Sequence, residues 1–430
     1  MDLPVRRAKP LVGDLHIPGD KSISHRAALL AALADGSSVL HGFLEAQDPR
    51  STIACLRALG VRVETSGREV RVHGRGLRGF SPPATDLDAG NSGTTLRLLS
   101  GILAGHPFES VLTGDDSLRR RPMNRIVEPL TLMGASISAT NGMPPVRILG
   151  KETLRPITYS LPVPSAQVKS AILLAGLYAD GVTTVEESVQ TRDHTERMLG
   201  LQTNTSAGRI SVSVTGGMAV RPREFQIPGD ISSAVFLVAA ASCIKGSDCV
   251  IRRVGINPTR SAVLDVLQQA GVSLKQINRQ EDDAEPFCDL HVVFSPPERP
   301  LHIDRTTTPL VIDEIPALAV LAACARVGFS VEGAGELRVK ESDRIALLSE
   351  NLRRWGIEVS GHQDGFSFDA PASLREATMD SGGDHRIAMA FAVAGMVCGG
   401  ITIKGAECAD VSFPGFWRLV EHLGGGGESL

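Results

Sequence analysis

IPGDKSISHRAALLAALADG, residues 17–36, returns in altered form as IPGDISSAVFLVAAASCIKG, residues 227–246. Each copy reads as a turn, a few polar residues, a helix rich in Ala and Leu, and a glycine stop before β-branched residues. Four further segments follow the same plan: AGNSGTTLRLLSGILAG from Ala89, PVPSAQVKSAILLAGLYADG from Pro162, DEIPALAVLAACARVG from Asp313 and GGDHRIAMAFAVAGMVCGG from Gly382. Dividing 430 residues by six gives about 72, close to the spacing of the copies, so six repeats fill the chain. A second helix-Gly-strand element follows in each, as in CLRALGVRVE from Cys55 and VLDVLQQAGVSL from Val263. Each repeat is therefore βαβα with extra strands. That is too large for one turn of a solenoid, whose repeats run about 20–50 residues, but large enough to close a domain in threes. The expected fold is α/β with two domains, residues 20–228 and residues 1–19 joined to 229–430. The two IPGD segments are the candidate crossings.

Composition limits the function. Lys and Arg total 44 against 48 Asp and Glu, a net charge of −4, so no general field for nucleic acid or anionic lipid exists and anion binding must be local. With aromatics at 4%, stacking platforms for bases are few. The seven cysteines form no C-x-x-C pair and fall mostly in apolar runs, which reads as reduced core thiols. The charged segment Met1 to Lys9 has no apolar stretch after it, and the longest uncharged apolar run, Ile231 to Ile244, is too short to span a bilayer. We expect a cytoplasmic monomer that meets neither nucleic acid nor membrane.

The polar residues that need explaining gather at the starts of the first helices, where unpaired N–H groups and the helix dipole favour an anion. Repeat one supplies Lys21, Ser22, Ser24, His25 and Arg26; repeat two supplies Asn91, Ser92, Gly93, Thr94 and Arg97; repeat three supplies Ser165, Gln167 and Lys169; repeat six supplies Asp384, His385 and Arg386. Any one cluster is explained by ordinary N-capping. Basic residues in a first turn oppose the dipole, however, and Lys21, Arg26, Arg97 and Arg386 read as taking that place. A bound anion would offset the cost. Two charged runs lie elsewhere, SLRRRP ending at Pro122 and LRVKESDR from Leu337 to Arg344. A solvated face accounts for such runs, but spacing i, i+4 places Lys340 and Arg344 on one helical face.

Acid–base candidates are few. Asp313 and Glu314 open an otherwise apolar helix; His25 and His385 read more naturally as structural. There is no G-x-x-x-x-G-K-[ST] loop, no strand-linked G-x-G-x-x-G, and no His pair at metal-binding spacing. The residues describe an enzyme that binds one or two small anions with Lys, Arg, Asp and Glu and uses no cofactor and no metal.

GDKSISHR (19–26), GNSGTTLR (90–97), RRRPMNR (119–125), PSAQVKSA (164–171), TRDHTERM (191–198), DEIP (313–316), LRVKESDR (337–344) and GDHRIAM (383–389) together resemble the 5-enolpyruvylshikimate-3-phosphate synthases, of the enolpyruvyl transferase family. The resemblance implies two domains of three βαβαββ units, each trio about a pseudo-threefold axis, with the active site in the interdomain cleft. It implies transfer of the enolpyruvyl group of phosphoenolpyruvate to the 5-hydroxyl of 3-phosphoshikimate, through a tetrahedral intermediate that loses phosphate, without cofactor. By the same resemblance Asp313, Glu341 and Lys21 are catalytic. Lys21, Ser22, Arg26, Ser165, Gln167, Arg192, Asp313 and Lys340 would bind 3-phosphoshikimate, and Lys21, Gly93, Arg121, Gln167, Arg344 and Arg386 would bind phosphoenolpyruvate.

Three positions depart from the family's usual pattern: Ala166 stands where a second serine is common, Val411 where many members have lysine, and Glu336 where some have asparagine. Gly93 keeps the residue type associated with glyphosate sensitivity. The related UDP-N-acetylglucosamine enolpyruvyl transferases usually carry a cysteine in the loop matching Thr113–Pro122, and this loop has none.

Overall fold

The computed structural model describes residues 1–206, 208–281 and 285–425. The chain divides into a split domain, Met1–Pro18 with Pro228–Leu430, and a central domain, Gly19–Ile227. Among the described residues the α/β fold holds six small sheets, five of four strands and one of three.

Repeat two shows the pattern in full. Strand Leu87–Asp88 leads into helix Gly93–Leu103, which returns the chain so that Glu109–Thr113 pairs parallel to the first strand. Parallel neighbours need such a crossover. Helix Asn124–Leu132 follows, then the hairpin Ser136–Thr140 and Met143–Leu149, whose second strand pairs antiparallel to Glu109–Thr113. Repeats three and five repeat this order, with Thr158–Ser160 parallel to Val182–Glu187 and Leu301–Ile303 parallel to Phe329–Val331.

Repeats one and four lack a first strand of their own and borrow one. In the central domain Glu224–Gln226 pairs parallel to Asp35–His41, and in the split domain Val12–Leu15 pairs parallel to Asp248–Gly255. Each borrowed strand directly precedes an IPGD segment. The chain thus keeps the order strand, turn, helix, but leaves the strand in one domain and starts the helix in the other. Among the described residues repeat six has no hairpin; Asp2–Val5 pairs antiparallel to Ile401–Lys404 and completes its sheet.

The first helices of the repeats form the cores. In the split domain Ile231–Cys243, Ile315–Ala325 and His385–Cys398 touch one another pairwise and are buried nearly all round, as their unbroken apolar sequences require. The second helices are amphipathic. Arg344–Arg354 buries Ile345, Leu348 and Leu352, and Phe416–Leu423 buries Phe416, Leu419, Val420 and Leu423. In the central domain small residues bring backbones together: a Cβ on Gly101 would lie 2.1 Å from the carbonyl oxygen of Ala171 in helix Ala166–Gly176.

A buried polar thread also ties the central helices. His25 Nδ1 lies 2.7 Å from Thr52 Oγ1, which lies 2.7 Å from Thr95 Oγ1, and Thr95 donates its hydroxyl to Ser92 Oγ at 2.8 Å. Burial, with Lys21 and Arg26 nearby, holds the His25 pKa well below the usual imidazole range, so the ring is neutral. Burial likewise pushes the Cys55 and Cys243 thiols up to about 12.

Two expectations follow. Gly101→Ala adds a methyl against a backbone oxygen, so despite alanine's better helix propensity the variant should lose roughly 1–3 kcal/mol in denaturant unfolding; an unchanged midpoint would show that the two helices are free to part. His25 is protonated in the unfolded chain below about pH 6.5 but not in the folded one, so acidification from there costs up to about 1.4 kcal/mol per pH unit. His25→Gln should flatten the stability profile between pH 7 and 5, leaving the smaller slope due to His106, whose pKa burial also lowers. Parallel profiles for the two proteins would mean that the His25 ring is charged in the fold.

Candidate active site

In the central domain three core helices begin with residues that hold one another. Asp20 caps the first through Ile23 N at 2.9 Å, Ser92 caps the second through Thr95 N at 3.1 Å, and Ser165 caps the third through Val168 N at 3.4 Å. Capping therefore explains these acceptors, and the basic residues remain to be explained. Lys21, the first residue of its helix, reaches Asp48 Oδ2 at 3.0 Å. Arg26 is buried and donates to Thr195 Oγ1 at 2.8 Å, Ser170 Oγ at 3.0 Å and the Ser22 carbonyl at 3.0 Å. Arg192 reaches Ser22 Oγ at 3.4 Å.

Gln167 joins the second and third helices. Its Oε1 accepts from Arg97 Nη1 at 2.6 Å and its Nε2 donates to Thr94 Oγ1 at 2.9 Å. Of the three consecutive arginines, Arg119 and Arg120 are exposed and Arg121 is turned inward, donating to Asn91 Oδ1 at 2.7 Å and Ser117 Oγ at 3.2 Å. Its Nε is buried without a hydrogen-bond partner among the described residues. Gly93 lies beneath two of these guanidinium groups: a Cβ there would stand 2.7 Å from Arg97 Nη1 and 3.5 Å from Arg121 Nη1. The helix N-termini thus present a cationic surface around a stretch of backbone that carries no side chain.

The split domain carries the carboxylates. Arg344 is wholly buried and donates to Asp384 Oδ2 at 2.8 Å, Asp313 Oδ1 at 3.1 Å and Glu341 Oε2 at 2.6 Å. Desolvation works against its charge, but Asp384, Glu341 and Asp313 outweigh that and raise its pKa above the usual value. Asp313 Oδ1 also lies 3.7 Å from Lys340 Nζ and 3.7 Å from Arg386 Nε, and its backbone carbonyl accepts from Arg386 Nη1 at 2.9 Å. The adjacent Glu314 is buried against Arg260 at 3.6 Å and accepts from Ser232 Oγ. Asp384 serves twice, capping its own helix through Arg386 N at 2.9 Å and holding Arg344.

Two local expectations need correction. Arg26 and Arg97 are the sixth and fifth residues of their helices, in the second turn, so of those four only Lys21 and Arg386 oppose a dipole at the first turn. Lys340 and Arg344 do not share a helical face. Lys340 ends the 3-10 turn Gly335–Val339, and Arg344 opens the next helix after its cap, Asp343. Both meet Asp313 because the chain turns between them. Of the departing positions, Ala166 opens its helix, and Glu336 and Val411 lie in 3-10 turns.

Some participants left no mark that sequence reasoning used. Asp48 sits in an unremarkable helix start and faces Lys21 from 27 positions along the chain. Thr195 and Ser170 are buried polar residues that meet Arg26 of another repeat, and buried Arg260 meets Ser232 from 28 positions along the chain. Lys169 stood among the helix-start residues of repeat three, but its two glutamate partners did not. Among the described residues no group of three or more His, Cys, Asp or Glu side chains is arranged to hold a metal ion, and no helix is long and apolar enough to cross a membrane.

Comparison with known proteins adds an independent line. The family model described as EPSP synthase (3-phosphoshikimate 1-carboxyvinyltransferase) matches residues 5–420. A protein named 3-phosphoshikimate 1-carboxyvinyltransferase from Pelotomaculum thermopropionicum is 49% identical, over 98% of this chain and 99% of that one. Its namesake from Xanthomonas campestris pv. campestris is 48% identical, over 98% and 97%. A solved structure of EPSP synthase from Acinetobacter baumannii matches with a TM-score of 0.85 at 42% identity, covering 98% of both chains. A match this long, at this identity and with the same repeated fold, leaves one conclusion: the chain belongs to the EPSP synthase family.

Proposed function

We propose that the protein transfers the enolpyruvyl group of phosphoenolpyruvate to the 5-hydroxyl of 3-phosphoshikimate, releasing phosphate, and that both residue sets described above serve this one reaction. On this reading it works as a cytoplasmic monomer on small-molecule substrates. The observation that carries the chemistry is the sharing of Arg344 by Asp313 and Glu341 at 3.1 and 2.6 Å. Addition–elimination needs two separate proton transfers, one at the attacking hydroxyl and one at the methylene carbon. Two carboxylates held on a single buried guanidinium suit that need.

In the addition step the 5-hydroxyl oxygen bonds to C2 of phosphoenolpyruvate while C3 takes a proton. Asp313 takes the hydroxyl proton and Glu341 supplies the one that arrives at C3, with Lys21 sharing proton movement between the substrates. The tetrahedral intermediate then loses the proton from C3 and expels phosphate, which regenerates the double bond. Developing charge at the phosphate and carboxylate is met by fixed cations rather than by mobile water. We assign Arg121, Arg344 and Arg386, with Lys21, Gly93 and Gln167, to phosphoenolpyruvate. Ser22, Arg26, Ser165, Gln167, Arg192 and Lys340, with Lys21 and Asp313, are assigned to 3-phosphoshikimate.

Arg121 supports its assignment independently, since a 7% exposed guanidinium with a buried Nε lacking a partner among the described residues is suited to an incoming anion. With no side chain at Gly93, nothing from this position stands between an acid group and the two nearby arginines. The loop matching Thr113–Pro122 holds arginines and no cysteine, which favours this substrate over UDP-N-acetylglucosamine.

Purified protein should release phosphate from phosphoenolpyruvate only when 3-phosphoshikimate is present; equal release with UDP-N-acetylglucosamine, or none with either acceptor, would refute the assignment. Asp313→Ala and Glu341→Ala should each lower kcat roughly 10²- to 10⁴-fold with much smaller effects on substrate KM, as expected of proton-transfer groups. Near-normal turnover in either variant would remove that residue from the chemistry.

A further inference from the structure

Lys169 is buried between two glutamates, and none of the steps above uses it. It is the fourth residue of helix Ala166–Gly176, with 1% of its side chain exposed. Its Nζ lies 2.8 Å from Glu187 Oε1, 2.7 Å from Glu196 Oε1 and 3.4 Å from the Thr191 carbonyl oxygen. Glu187 in turn accepts from Thr191 N at 3.2 Å and Thr191 Oγ1 at 2.7 Å. One ammonium therefore gathers the end of strand Val182–Glu187, the loop after it and helix His194–Leu199.

The neighbours of these residues are what give the cluster a function. Thr191 directly precedes Arg192, whose Nη1 reaches Ser22 Oγ at 3.4 Å. Glu196 directly follows Thr195, whose Oγ1 accepts from Arg26 Nε at 2.8 Å. Lys169 directly precedes Ser170, whose Oγ accepts from Arg26 Nη2 at 3.0 Å and lies 2.7 Å from Thr195 Oγ1. Two of the three groups bound to the ammonium, Thr191 and Glu196, are thus one residue from Arg192 and from Thr195, and the third, Glu187, holds Thr191.

We propose that Lys169 is a positioning residue, whose ammonium clamps Glu187, Glu196 and the Thr191 carbonyl so that Arg26 and Arg192 meet the acid groups of 3-phosphoshikimate in a fixed orientation. The inference rests on the assignment of those two arginines to 3-phosphoshikimate. Charge makes the lysine hard to replace. Burial raises the Glu196 pKa while Lys169 pulls it down, and Glu196 Oε2 has no other partner among the described residues. Without the ammonium, two carboxylates would face each other out of water, and relieving that requires protonation or movement of the segment that carries Arg192 and Thr195.

The test is steady-state kinetics of the full chain with Lys169→Met, Lys169→Arg and Arg192→Ala. Lys169→Met should raise KM for 3-phosphoshikimate about 10- to 100-fold, the effect of losing a charge-assisted hydrogen bond, and change KM for phosphoenolpyruvate less than about 3-fold on the same scale. Lys169→Arg should recover part of the loss. Equal effects on both KM values would indicate general structural damage, and no effect on either would show that the arginines are held without the lysine; each result overturns the proposal. If Lys169→Met does not accumulate folded, Glu187→Gln, which keeps the shape but removes one charge, is read by the same comparison. An Arg192→Ala effect without a Lys169 effect rejects the positioning role alone. Normal KM for 3-phosphoshikimate in Arg192→Ala rejects the substrate assignment and the inference together.

Discussion

Helices whose N-termini must meet at one place can do so only if their flanks allow backbones to approach. In the central domain that condition is met at Gly101, where any side chain would collide with the Ala171 carbonyl oxygen. Close approach of those two helices sets Arg97 within 2.6 Å of Gln167, although the residues belong to different repeats. The capping acceptors Ser92 and Ser165 leave the remaining first-turn N–H groups directed outward. The cationic surface is thus a consequence of how tightly two apolar rods pack behind it.

The split domain meets a different constraint, the burial of Arg344. A guanidinium taken wholly out of water is tolerable only with its charge matched and its donors filled. Asp313, Glu341 and Asp384 provide this, drawn from the start of one core helix, the turn before another helix, and the cap of a third. The cost of leaving any of the three unpaired holds their segments in register. It also leaves Asp313 beside Lys340 and Arg386.

Much of this was legible along the chain. The six Ala/Leu segments marked the core helices because helix periodicity and glycine stops are local properties. The resemblance carried by short motifs such as KESDR and GDHR identified the family that the comparisons establish. Periodicity misled where it assumed continuity: Lys340 and Arg344 are four apart, yet the helix begins only at Arg344, because Asp343 caps it. The two IPGD segments suggested crossings, but not which sheet each flanking strand would join, since a three- or four-residue strand such as Glu224–Gln226 carries too little pattern to announce it.

The sequence by itself determined the number of repeats, the buried helices, the near-neutral total charge of −4 and the inventory of anion-binding and acidic residues. These depend on residue type and on spacing within a turn or two. Only the tertiary structure decided the partners: Asp48 for Lys21, Thr195 and Ser170 for Arg26, Glu187 and Glu196 for Lys169, and Asp384 for Arg344. The physical reason is that a charge pair between repeats is specified by packing distances, to which many spacings along the chain are equally compatible.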